Sequence, residues 1–173
     1  MTHSEIPLTG STAEHSDHND LEARLDALVL VLNEELSLLL HLHYRLTSLR
    51  LLLLDGNPRF IQLAASDVSD ATVAVVDHEG RTIEAISAAR VALGSDAPRI
   101  VDIAAIAPAS HRKVLLRLTR EIDVTSRALS VLREAVQRQS ASGRQAVAEV
   151  LDLTDGDDAK GARNPGHLFR GAF

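Results

Sequence analysis

The chain contains no cysteine, no tryptophan and very few aromatic residues. Tyr44, Phe60, Phe169 and Phe173 are its whole aromatic inventory, 2% of 173 residues. Without cysteine there is no disulfide, no thiolate metal site and no cysteine nucleophile. That composition fits a reducing, cytoplasmic setting. The scarcity of aromatics argues against a β-sandwich or barrel, whose strands recruit aromatic and β-branched residues. It argues equally against single-stranded nucleic-acid binding, which needs aromatic stacking platforms. Positive charge is also in deficit. The net charge is −6, which favours neither a nucleic-acid nor an anionic-membrane partner. Residues 1–19 lack the basic start and apolar run of a signal peptide.

What the chain has instead is aliphatic mass, at 45% hydrophobic residues overall. Leucine and alanine are well tolerated in helices, so an all-α fold is expected. The stretch Leu36–Leu54 holds eleven leucines but also His41, His43, Arg45 and Arg50. Arginines at mid-span cost about 2.5–3.5 kcal/mol each on insertion, so a buried helix is expected there and no membrane insertion.

A first helix is expected from Asn19 or Asp20, either of which can cap it. Its apolar series is Leu21, Leu25, Leu28, Leu32, Glu35, Leu39, Leu42, Leu46, Leu49, Leu53. The four–three spacing is that of a coiled coil with one polar member. Further apolar residues, Val29, Leu30, Val31, Leu36, Leu38 and Leu40, widen the seam to most of the circumference. Such a helix needs at least two packing partners, one of which can be another protein. Asp55-Gly56-Asn57-Pro58 is a dense turn signal, with Asn57 placed to cap and Pro58 to open a second, antiparallel helix. That helix is expected to reach Leu93 with Gly94 as its stop. Its seam reads Ile61, Ala65, Val68, Thr72, Val75, Glu79, Thr82, Ile86, Ala89, Leu93. One or two helical turns are expected over Ile100–Ala107.

A third long helix starts at Pro108, with the seam Leu115, Leu118, Ile122, Thr125, Leu129, Leu132, Val136, Gln139. Ser140–Gly143 is expected to break it and Arg144–Leu153 to form a short amphipathic helix. The expected architecture is an elongated antiparallel helical hairpin with a third long helix laid along it. Residues 1–19 form a disordered acidic arm, 20–153 the helical bundle, and 154–173 a disordered tail.

Few constellations carry chemistry. A di-metal bundle site needs Glu-x-x-His pairs, and the chain has none. Glu35 and Glu79 are the acidic residues assigned to core-facing positions, and polar register setting explains them better than paired-carboxylate catalysis. His15 and His18 sit with Asp17 and Asp20 on a solvated arm with nothing to orient metal ligands. His41 and His43 read as boundary histidines rather than a pH sensor. Asp152–Asp158 lacks the ligand spacing of a calcium loop. No phosphate-binding glycine loop and no serine-nucleophile motif occurs. Neither catalysis nor a cofactor is therefore expected. Lys113, Arg120 and Arg127 recur every seven residues opposite the third helix's seam, which suits a solvated face complementing the acidic helices.

The pattern resembles the FlgN family of flagellar type III export chaperones. The resemblance is carried by the leucine-rich first helix with Glu34-Glu35, the turn Leu51–Pro58, the stretch His78–Ile86, and Leu129-Ser130-Val131-Leu132-Arg133-Glu134-Ala135. It covers residues 20–153. Ser126 and Arg127 stand where the family's third helix often has asparagines. The tyrosine–glycine motif of the family's tail is missing, with Phe169 and Gly171 in its place.

The resemblance implies a cytoplasmic, non-enzymatic chaperone. It would bind C-terminal helical segments of hook-associated proteins before export and prevent their polymerisation. Leu129, Leu132, Val136, Val147, Val150 and Leu151 are the candidate client-binding residues. Phe169 and Phe173 are candidates for docking the tail, with the export gate as its potential target. The competing expectation is a coiled-coil structural or regulatory adaptor whose surplus apolar face makes a homodimer.

Overall fold

The computed structural model describes the backbone of residues 11–157 and the side chains of 19–143. Four helices occupy it: α1 (Ser11–Asp55), α2 (Pro58–Ala92), α3 (Ile100–Ile106) and α4 (Ala109–Asp157). No strand occurs among the described residues. The fold is all-α, as expected. α1 is the central element, about 68 Å long at 1.5 Å per residue. It packs against α2 on one side and α4 on the other, while α2 and α4 do not bring their backbones together. α2 runs antiparallel to α1, and α4 returns parallel to it, so that His111 near the start of α4 meets Asp26 near the start of α1. No helix among the described residues is long and apolar enough to cross a membrane.

The turns follow local chemistry. Gly56 closes α1 in the left-handed region (φ +75°), its N–H donating to the Leu52 carbonyl. Asn57 and Pro58 then open α2 as expected, though the Asn57 side chain makes no capping hydrogen bond. At the other end of α2, Gly94 (φ +57°) forms a Schellman turn. Its N–H bonds Val91, and the Ser95 N–H bonds Arg90. The short helix expected over Ile100–Ala107 is α3, and Arg112 holds its end by donating to the carbonyls of Ala104 and Ala107.

The seam of α1 lies where the spacing places it. Leu25, Leu28, Leu32, Leu39, Leu46 and Leu49 are buried, and Leu21, Glu35, Leu42 and Leu53 are half-buried. The seam of α4 matches as well, from Leu115 to Gln139. α2 differs. Ala64, Ala71 and His78 are buried, whereas Ala65, Thr72 and Glu79 are exposed. These three seam positions are displaced by one residue, while Ile86, Ala89 and Leu93 pack where the spacing placed them. Both phases share Ile61, Val68, Val75 and Thr82, so the period alone cannot choose between them. The observed phase sets small alanines beneath the leucines of α1 and leaves the Glu79 carboxylate in water, avoiding an unpaired buried charge.

Three boundaries differ from expectation. α1 begins at Ser11 rather than Asn19, because no glycine or proline intervenes and a nucleated helix extends at little cost. α4 continues through Ser140–Gly143, so Arg144–Leu153 belongs to it rather than forming a separate short helix. Gly143 keeps a helical conformation with no left-handed φ, and nothing else there stops the ladder. Asp152–Asp157 is helical backbone too, not a loop. The rest of the expected arm and tail, including Phe169 and Phe173, lies outside the described residues.

A groove between α1 and α4 as the candidate docking site

α1 buries one seam against both neighbours and has apolar residues left over. On its flank toward α4, Leu36 packs half-buried at the edge of the core and Leu40 lies exposed beyond it. Leu116 and Val124 stand opposite them on α4. Together with Arg117, Arg120, Glu121 and Thr125 they line a groove of about 660 Å³. Leu40, Leu116 and Val124 are 53%, 43% and 59% exposed. The exposed apolar stripe continues one to three turns further with Tyr44 and Leu51 on α1 and Val131 on α4. Leu116 to Val131 spans about 22 Å of helix axis, enough to receive four turns of a partner helix.

The two walls differ in charge. The α1 wall is aliphatic and neutral, because Glu34 and Glu35 turn toward α2. The α4 wall carries Arg117 and Arg120 in the groove lining, and Lys113 precedes them by one turn on the helical stripe that holds Val124. Arg117 lies 3.8 Å from Glu121, and further along Arg127 is held by Asp123 at 2.7 Å. Lys113 and Arg120 make no ion pair among the described residues. The groove offers aliphatic contact on both sides and positive charge on its α4 side.

The polar positions of the α1–α2 seam are engaged with one another. His78 is only 5% exposed. Its Nε2 lies 3.0 Å from the Val31 carbonyl, which can only accept, so Nε2 carries the proton. Its Nδ1 is 3.9 Å from a Glu34 carboxylate oxygen that also receives Arg81 at 2.9 Å. One turn on, the Thr82 hydroxyl donates to Glu35 at 3.2 Å. Glu35 therefore meets Thr82, not Glu79, and the two glutamates do not pair. His41 is exposed and accepts a long hydrogen bond from Arg45, and His43 is half-buried. No group of three or more His, Cys, Asp or Glu able to hold a metal occurs among the described residues.

The candidate client-binding residues divide. Leu129, Leu132 and Val136 are buried against α1 and belong to the core, so they are not a free docking face. Leu129 does border a second cleft of about 450 Å³ where α2 and α4 diverge around α1, together with Leu39, Leu46 and Val68. Val147, Val150 and Leu151 lie on the helical backbone of α4, their side chains outside those described. The surplus apolar residues of α1 had pointed to Leu36 and Leu40. Leu116 and Val124 went unseen because they lie among the arginines of a face read as purely solvated. No family model matches the chain, and neither does any curated protein or solved structure.

Proposed function

We propose that this chain is a binding protein that holds an amphipathic helical segment of another protein along the α1–α4 groove. The observation that carries the reading is the exposed apolar lining of Leu40, Leu116 and Val124 between two rigid helices. An amphipathic helix lays its apolar ridge into such a groove at i, i+3/i+4 and i+7 spacing, and a client disordered when free orders on docking. The resemblance of residues 20–153 to the FlgN chaperones makes the C-terminal helices of hook-associated flagellar proteins the proposed clients, held in the cytoplasm before export. On this reading no reaction is catalysed. The client is released unchanged.

The test is co-expression with the C-terminal segment of a hook–filament junction protein, followed by size-exclusion chromatography with light scattering. Co-elution at the summed mass is expected. It should be lost when Val124 and Leu40 are each replaced by Glu, exposed changes that leave the core alone. Separate elution of the wild-type pair overturns the chaperone assignment. Concentration-dependent dimerisation of the isolated protein, abolished by the same substitutions, supports the homodimeric adaptor instead.

A further inference from the structure

The groove's charge asymmetry specifies its occupant more narrowly, on the docking reading above. We propose that the partner is an amphipathic helix whose apolar ridge carries acidic residues along one flank, and that this flank lies against α4. The α4 wall presents Arg120 without an acidic partner and Arg117 with a loose one, and Lys113, also without an acidic partner, flanks the groove one turn earlier. Within the groove the facing α1 wall, Leu36 and Leu40, holds no charged residue; Arg45 lies further along, over the Tyr44 ring and paired with Asp67 of α2. A helix seated between them meets positive charge on one side only.

The positive wall is local. Lys113, Arg117 and Arg120 outnumber Glu121 along this stretch of α4, in a protein whose net charge is −6. Such a segment steers an acidic partner to this groove and away from the rest of the surface. The same charge argues against two other occupants. Residues 158–173 carry Lys160, Arg163 and Arg170 against the single acidic residue Asp158, so they do not complement the wall. A second copy docked face to face brings another basic stripe to the same place.

The experiment uses the full chain and two synthetic helical peptides of about 18 residues, long enough for the groove. Both carry leucines at i, i+4, i+7 and i+11. One has glutamates along one flank of that ridge, the other lysines at the same positions. Binding is read by fluorescence anisotropy at low and high salt. The glutamate peptide is expected to bind about fivefold more tightly at low salt, the sum of a few exposed ion pairs, with the gap closing as salt screens them. Replacing Lys113 and Arg120 by Glu should reverse the preference.

Equal binding of the two peptides, lost on Val124→Glu, overturns the charge inference and leaves the docking reading standing. Failure of both peptides to bind, or binding indifferent to Val124→Glu, overturns both. A dimer in the absence of peptide that Val124→Glu dissolves assigns the groove to a second copy and likewise overturns the proposal.

Discussion

The two ends of the bundle are built from the same leucine seam but packed differently. At the end holding the first half of α1, Leu25, Leu28, Leu32, Ile103, Leu115 and Leu118 are fully buried. There α3 and the last turns of α2 close over the core, with Ala89 and Ala104 allowing close approach. At the other end, Leu39, Leu46, Leu49, Leu129, Leu132 and Val136 retain 7–9% exposure, and the cleft beside Leu129 opens between diverging helices. Three helices surround that core without a fourth to cap it. His78 and Thr82, engaged with Val31 and Glu35, mark the boundary between the two clusters. The lesson is that a uniform heptad does not produce uniform packing. What covers the seam decides: α3 closes one end, and the other keeps a cleft.

The largest test of this contrast is a pair of cavity mutants. Leu28→Ala at the closed end should cost about 3–5 kcal/mol and Leu46→Ala at the open end about 2–3, because a site that can collapse or admit water leaves a smaller void. Urea unfolding of both variants measures the difference, and equal costs would erase the distinction between the ends. Next in size is His78→Ala at the boundary, expected to cost about 1–3 kcal/mol through the lost hydrogen bond to Val31 and the vacated volume. If His78 locks register, the variant's amide exchange should rise on both sides of Val31. Protection unchanged outside the mutated turn would reduce its role to local packing.

A smaller, stabilising effect is expected from Gly80→Ala. An added Cβ there meets nothing within 4 Å, so the variant should gain about 0.5–1 kcal/mol of helix propensity, read as a raised Tm. A loss would show that α2 needs a kink the structure does not display.

The smallest effect concerns α3, which covers the closed end. The bidentate hydrogen bond from Arg99 holds the Asp102 carboxyl below its ordinary value of 3.8. A lowered folded pKa means that this contribution is present above the unfolded value and is lost as the pH falls through the folded one. Wild type and Asp102→Asn should therefore converge in stability only below about pH 4. The group is solvent-facing, so a slight shift in the acid limb of the stability profile is the expected reading.

Much of this was legible from residue order. The ten-member seam of α1 and the eight-member seam of α4 are strong patterns, because leucine fills nine of the ten positions in the first and large aliphatic residues six of the eight in the second, and only one helical face can satisfy them. Gly56, Pro58 and Gly94 marked the ends of α1 and α2 through backbone constraints that act locally. α2 was not legible in the same way. Its apolar set is small and β-branched, so Ala64 and Ala65, or Ala71 and Thr72, are nearly equivalent until α1 is in place. The groove proposed for docking was half legible. Leu36 and Leu40 stood out as surplus to the seam, whereas Leu116 and Val124 were hidden by the charged residues around them.

By itself the sequence determined the helical class, the buried faces of the two strongest helices and the turns between elements. These depend on periodicity and backbone chemistry within a few residues. Only the tertiary structure decided the phase of α2, the engagement of His78 and Thr82 with α1, the closing of one end by α3, and the pairing of a neutral wall with a cationic one. Those features depend on register between helices distant in sequence. That register is set by how side chains of different size interlock across the interface, and no single helix carries the information.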